Sequence, residues 1–207
     1  MLGPIVRRLG GRKVILASES PRRREILQHI NFPFEVVPSK FEETLDKSQF
    51  PEPYLYAVEN AKGKAWEVAK RIKDSEIVWR VVIGADTIVV RDGIIYEKPK
   101  TQEKAREMLR NLQGAAHTVV TGLVLIFQND DQTLREVKCH ETTHIEFSDL
   151  SDEIIESYVE SNEPLDKAGA YGIQDLGGTL VKSITGDYYN VVGLPLNRLC
   201  TELLKNL

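Results

Sequence analysis

KVILASESPRRREIL, Lys13–Leu27, packs a strand, a loop and a helix start into one short stretch. KVILA (Lys13–Ala17) is an apolar run with the length and β-branched content of a buried strand. Ser18-Glu19-Ser20 follows, and Pro21 marks a first helical position with Ser20 as N-cap. Ile26, Leu27 and Ile30 then continue at helical spacing. The first turn of this helix carries Arg22, Arg23 and Arg24, against the usual pattern. Free N–H groups make a helix start positive, so acidic residues belong there. Misplaced charges of this kind cost about 0.3–1 kcal/mol each. A bound anion reverses the sign. A strand–loop–helix start aims N–H groups at such an anion, and arginine adds a planar fork that grips phosphate bidentately. No GxxxxGK[ST] pattern is present, so this is not a P-loop. A solvated basic turn is the competing reading.

Outward from this unit, FEVVPS (Phe34–Ser39) reads as a second strand. Pro53 to about Lys73 reads as a long helix with Tyr54, Ala57, Val58, Ala61, Ala65, Val68, Ala69 and Ile72 on one stripe. VVIGADTIVV (Val81–Val90) is a buried strand interrupted by Gly84, and Asp92-Gly93 is a hairpin signal. Thr101 caps a helix to about Leu112. Residues 115–127 and 134–147 are long strands joined by the polar NDDQ turn. Ser151 caps a helix ending near Val159, residues 177–193 hold a further strand and turn, and Pro195 opens a closing helix. Helices alternate with strands, and the central strands are too long for a simple doubly wound fold. The expectation is one α/β domain over residues 1–207, with a mixed twisted sheet and flanking helices in two lobes.

Composition narrows the function classes. The chain has 207 residues, 42% hydrophobic and 28% charged, with a net charge of −4. That is ordinary for a globular protein and argues against a broadly basic nucleic-acid surface. The two cysteines, Cys139 and Cys200, form no CxxC pattern, which suits a reducing interior. The N-terminus reads as no signal peptide, and no apolar run approaches the roughly 18 residues of a membrane span. The expectation is a soluble, cytoplasmic protein.

His140-Glu141-Thr142-Thr143-His144 matches HExxH, the zinc protease pattern. That chemistry needs a helix, where residues four apart share a face. Here Val137, Cys139, Glu141, Thr143, Ile145 and Phe147 alternate as on a strand. His140 and His144 would then stand about 13 Å apart along the chain, too far to share one zinc. The match is a coincidence of a short pattern.

Four other features invite chemistry. Gly84-Ala85-Asp86-Thr87 puts a carboxylate after a buried β run, where carboxylates are rare unless paired or metal-bound. Ordering a turn is its plainer use. Glu42-Glu43 follows the second strand, and Glu97-Lys98-Pro99 follows the hairpin. DKAGAYGIQDLGG, Asp166–Gly178, has the glycines to wrap a flat ligand or simply to form a loop.

Together these segments resemble the Maf family of nucleoside triphosphate pyrophosphatases: LASESPRRREIL, FEVVPSKFEE, GKA, VIGADTIV, GIIYEKP, HTVVTG, EPLDKAGAYGIQDLGG and GDYYNVVGLPL, in order along nearly the whole chain. The chain is also similar to the Maf-type domain that some animals fuse to an O-methyltransferase-like domain. The resemblance implies a mixed α/β sheet with a deep cleft between two lobes, a homodimer, and cleavage of nucleoside triphosphates to the monophosphate and pyrophosphate with Mg²⁺ or Mn²⁺. In the family this is house-cleaning of non-standard nucleotides. By position, the resemblance places the catalytic base at Asp86, phosphate-binding groups at Ser18, Arg22 and Arg23, the family glutamate at Glu43 as a metal ligand with Asp86, and the two family lysines at Lys64 and Lys98. The branch taking thymidine and uridine triphosphates looks like this chain at Arg22, Thr87 and Gln174. The glutamine amide offers the donor and acceptor that uracil or thymine requires. The competing functions are a non-catalytic nucleotide-binding module and a purine-preferring inosine triphosphate pyrophosphatase-like enzyme.

Overall fold

A computed structural model of the chain describes residues 1–73 and 75–207. Its elements in order are α1 (Leu2–Leu9), β1 (Lys13–Leu16), α2 (Pro21–His29), β2 (Glu35–Val36), α3 (Pro53–Ile72), β3 (Trp79–Arg91), β4 (Ile94–Tyr96), α4 (Gln102–Leu112), β5 (Ala116–Gln128), β6 (Leu134–Phe147), α5 (Asp152–Glu160), β7 (Val181–Thr185), α6 (Tyr188–Val192) and α7 (Leu196–Asn206). The strands hydrogen-bond in the order β2-β1-β3-β5-β6-β7, with β4 on β3. β1 runs parallel to β2 and β3, whereas β4 and β7 are antiparallel to their neighbours, so the sheet is mixed as the pattern of elements predicts. Among the described residues, no helix is long and apolar enough to cross a membrane.

The chain forms two compact units. The first comprises residues 1–86, 121–141 and 193–207; the second comprises 87–120 and 142–192. In the first, the stripe Val58, Ala61, Ala65, Val68, Ala69 and Ile72 of α3 packs with Ile15, Trp79, Val82, Val124 and Ile126. Alanine on the helix is matched by glycine on the sheet. A Cβ at Gly84 of β3 would overlap the Ala61 carbonyl oxygen and stand 2.8 Å from the Ala65 Cβ. A Cβ at Gly122 of β5 would stand 2.5 Å from the Ala57 carbonyl oxygen. The missing side chains let the α3 backbone lie directly on the sheet. Tyr54, expected on the buried stripe, is only partly buried and stacks on His140 at 4.3 Å; Tyr56 is buried instead.

In the second unit, α4 and α5 present Ala105, Leu109, Leu112, Ile155, Tyr158 and Val159 to Val89, Val119, Ile145 and Phe147. The helix starts follow their caps: Thr101 Oγ1 accepts from Lys104 N, and Ser151 Oγ from Ile154 N. Asp92 and Gly93 both take positive φ, 51° and 76°, in the β3–β4 hairpin. His117 is buried against Phe147 and Tyr171, its Nε2 2.8 Å from the Tyr171 hydroxyl.

Two strand expectations change. Of Phe34–Ser39, only Glu35–Val36 is strand, because this segment is an outer strand pairing with β1 alone and Pro38 has no N–H to continue. The HExxH residues lie on β6, as the alternation requires.

Two stability effects follow from this packing. Gly84→Ala is expected to lower stability by roughly 1–3 kcal/mol, the scale of core overpacking, read as a lower urea midpoint. Burial, with Arg91 nearby, holds the His117 pKa down to about 4 from its ordinary 6.5. The unfolded chain therefore takes up this proton first as pH falls. Stability present above pH 6.5 is lost progressively toward pH 4, by about 3 kcal/mol for this group. His117→Gln should flatten that part of the urea-midpoint profile.

Candidate active site

β1 stops at Leu16, paired with Ile83 of β3, but β3 continues to Arg91. After the hydrogen bond from Ala17 N to Ile83 O at 2.8 Å, the chain leaves β3 through the Ser18–Ser20 loop and enters α2. This is the carboxyl end of β1, where open α/β sheets keep their chemistry. Asp86 stands three residues beyond Ile83, inside β3 rather than at its end.

The arginine cluster divides. Arg24 is exposed and Arg22 half-buried, while Arg23 turns inward and is only 8% exposed. Arg23 Nε donates to the Gly193 carbonyl at 2.7 Å, and its Nη1 to Ser18 Oγ at 3.1 Å. Ser18 Oγ also accepts from Ser20 N at 3.2 Å. Ser20 holds the N-cap position, but its side chain makes no cap bond. Burial pulls the Arg23 guanidinium below its ordinary pKa, Asp86 pushes it back up, Arg22 lowers it and Glu43 raises it. Arg23 thus shares an electrostatic environment with both carboxylates.

Lys64 is the centre of that environment. Its Nζ lies 2.7 Å from Asp86 Oδ1 and 3.0 Å from Glu43 Oε1. The Lys64 and Asp86 side chains are 12% and 11% exposed, and Glu43 is 43% exposed. Burial pushes the Asp86 carboxyl above its ordinary value. Lys64 pulls it down, Glu43 pushes it up, and Arg23 pulls it down.

The local sequence explains the placement. In Gly63-Lys64-Ala65, successive side chains point about 100° apart around α3. Ala65 faces Gly84, and Lys64 reaches Asp86. Gly63 leaves room for the Phe41 ring, whose Cε1 lies 2.7 Å from where a Cβ would be. Phe41 is two residues from Glu43, so seating the ring brings the carboxylate to Lys64. The same loop is tied to α3 by Glu67 Oε2, which accepts from Lys40 N at 2.8 Å and Ser39 Oγ at 3.1 Å, and by Arg71, which donates to the Pro38 carbonyl at 2.7 Å. The pattern of residues gave no notice of this clamp, or of Gly193 as the partner of Arg23; both join segments distant in sequence.

Of the expected site residues, Ser18, Arg22, Arg23, Glu43, Lys64 and Asp86 belong to the first unit. Thr87, Lys98 and Gln174 belong to the second: Thr87 is partly buried on β3, Lys98 exposed after β4, and Gln174 exposed on a loop. Among the described residues, no group of three or more His, Cys, Asp or Glu could hold a metal ion. The two carboxylates Glu43 and Asp86 already share one cation, the Lys64 ammonium. One or two protein carboxylates are what Mg²⁺ takes at phosphate sites, where substrate oxygens and water complete its shell. The donor set therefore fits such an ion.

The sequence profile of the family described as Maf-like protein matches residues 13–206. The chain is 50% identical over 209 residues to a human protein named probable bifunctional dTTP/UTP pyrophosphatase/methyltransferase protein, covering 99% of this chain and 34% of that one. It thus spans about a third of that relative's length. It is 49% identical over 192 residues to the dTTP/UTP pyrophosphatase of Clostridium perfringens (strain 13 / Type A), covering 92% of this chain and 95% of that one. Among solved structures, a HAM1 protein from Coxiella burnetii aligns over 94% of this chain and 99% of its own, at 13% identity and a TM-score of 0.46.

Replacing Lys64 tests the electrostatic arrangement directly. Lys64→Met should leave the buried Asp86 carboxylate facing Glu43 without its cation, at a cost of about 3 kcal/mol near neutral pH. A carboxyl raised in the native state binds its proton there more readily than in the unfolded chain. The deficit should therefore shrink as pH falls through the raised Asp86 pKa, seen as converging urea midpoints for variant and parent.

Proposed function

This chain belongs to the Maf-like protein family, and we infer that it hydrolyses dTTP and UTP, with modified pyrimidine nucleotides, to the monophosphate and pyrophosphate. The observation that carries the reading is the buried Asp86 held at 2.7 Å by Lys64, in the same electrostatic environment as the inward-turned Arg23.

Asp86 accepts a hydrogen bond from water and takes its proton as the water oxygen attacks the α-phosphorus. The bond from that phosphorus to the bridging oxygen breaks, and the electron pair leaves with pyrophosphate. Lys64 favours the ionised form of Asp86 against the pull of burial. Ser18 and the Gly193 carbonyl fix the plane of the Arg23 guanidinium, so its fork is oriented before an anion arrives. Arg22, Arg23 and Lys98 neutralise the triphosphate and the developing charge on the leaving group. Glu43 and Asp86 would hold the divalent ion, Mg²⁺ or Mn²⁺, which supplies Lewis-acid polarisation of phosphate oxygens when bound. Thr87 and Gln174 read the base, the glutamine amide matching the N3–H and carbonyl edge of thymine or uracil.

The family resemblance further supports a homodimer acting on the nucleotide pool of the cytoplasm. The two cysteines, both free and buried, suit that reducing compartment.

Pyrophosphate release across a panel of triphosphates, with and without Mg²⁺, tests the reading. Pyrimidine nucleotides should lead the panel, and chelation should abolish turnover. Asp86→Asn should lower kcat by roughly 10²–10⁴ while leaving nucleotide affinity near that of the parent. Near-normal turnover of dTTP by that variant would refute the assignment of the base.

A further inference from the structure

Gln174 sits on a loop, residues 173–175, tied to the Glu163 carboxylate directly at one end and through the Tyr158 hydroxyl at the other. Glu163 Oε2 accepts from Leu176 N at 3.0 Å, and Glu163 Oε1 accepts from Gly177 N at 3.0 Å. These bonds fix the chain just after the loop. The chain just before it is fixed through a relay. The Tyr158 hydroxyl donates to Glu163 Oε1 at 2.9 Å, and its oxygen accepts from Gly172 N at 3.2 Å. Burial and the bond to Glu163 push the Tyr158 pKa upward, so the hydroxyl remains a donor.

Glu163 is itself anchored. Its backbone carbonyl accepts from Lys167 Nζ at 2.8 Å, and the same ammonium bonds Asp166 Oδ1 at 3.0 Å. The glycines of the loop record how close this assembly is. A Cβ at Gly172 would stand 2.5 Å from Lys167 Cε, and one at Gly177 would stand 2.5 Å from the Tyr158 hydroxyl. All these residues belong to the second unit.

We propose that Glu163 is a positioning residue for base selection, which holds Gln174 in place by clamping both ends of its loop, directly and through Tyr158. The proposal rests on the reading of Gln174 as the residue that meets the base. A carboxylate suits the task because both its oxygens accept. A glutamine has one accepting oxygen, so Glu163→Gln must aim an amide N–H at one of the backbone N–H groups. Tyr158→Phe keeps the ring in the core and removes only the Gly172 arm.

The test compares E163Q, Y158F and Gln174→Ala in the full chain, by amide hydrogen exchange and by kinetics with dTTP and dGTP. In E163Q the Leu176 and Gly177 amides should exchange at least about tenfold faster while those of α4 keep their rates. The ratio of kcat/KM for dTTP over dGTP should fall about tenfold, chiefly through the KM for dTTP, with kcat within about threefold of the parent. Adding Q174A to E163Q should cost no further selectivity. Unchanged exchange at Leu176 and Gly177 overturns the clamp. Selectivity retained in E163Q but lost in Q174A overturns the positioning role while leaving the reading of Gln174 intact. Selectivity retained in Q174A overturns that reading and the base-selecting role that rests on it. Should E163Q fail to fold, Y158F carries the same comparison, with Gly172 as the amide observed.

Discussion

The close approach of α3 to the sheet sets everything around the candidate site. Ala61 and Ala65 lie where a Cβ on Gly84 would intrude, and Ala57 lies over Gly122. A helix packed through larger side chains would stand further from the sheet, and a lysine on it would have to reach further to meet a strand carboxylate. Here the backbone of α3 rests on β3. Lys64, next to Ala65, then meets Asp86, two residues beyond Gly84, at 2.7 Å. The apolar contact creates the polar one. The buried carboxylate, in turn, is tolerable only because that cation is within reach.

This arrangement also divides the work among positive charges in a chain whose net charge is −4. Lys64 is committed to two carboxylates, and Arg23 is oriented by Ser18 and Gly193. Their charge is therefore concentrated at one place, against an overall field that repels anions. The opening anomaly, three arginines at a helix start, resolves unevenly. Arg24 is a solvated residue of the kind the plain reading assigns to the whole cluster, whereas Arg23 is a buried group with fixed partners. A single helical turn holds both because successive residues point about 100° apart.

What the sequence made legible was what depends on local pattern. Capping by Thr101 and Ser151, the Asp92-Gly93 hairpin and the strand identity of His140–His144 all rest on near neighbours. The limits appear where a distant segment decides. Helix α1 carries little local signal, because only Ile5 and Leu9 form its buried face, in a segment that also holds Gly3, Pro4 and two arginines. Ser20 has the identity of a cap but makes no cap bond, while Ser18, two residues earlier, takes the Ser20 N–H and the Arg23 fork. Phe41 carries no chemistry of its own, and its role is visible only once Gly63 is seen to leave space for its ring.

Glycine has two distinct uses in this chain, and they separate scaffold from site. At Gly84 and Gly122 its lack of a side chain admits a neighbouring backbone, which fixes the helix on the sheet. At Gly172 and Gly177 it admits a lysine stem and a tyrosine hydroxyl, so that a network of polar groups can close beneath an exposed loop. The first use yields rigidity through packing, which tolerates no added atom. The second yields it through hydrogen bonds to a carboxylate, which depend on direction and are lost one at a time. A loop held by direction rather than by bulk can present an exposed amide without burying it. On the proposed reading of Gln174, that is what meeting a base would require: a side chain fixed in space, yet reachable by the ligand.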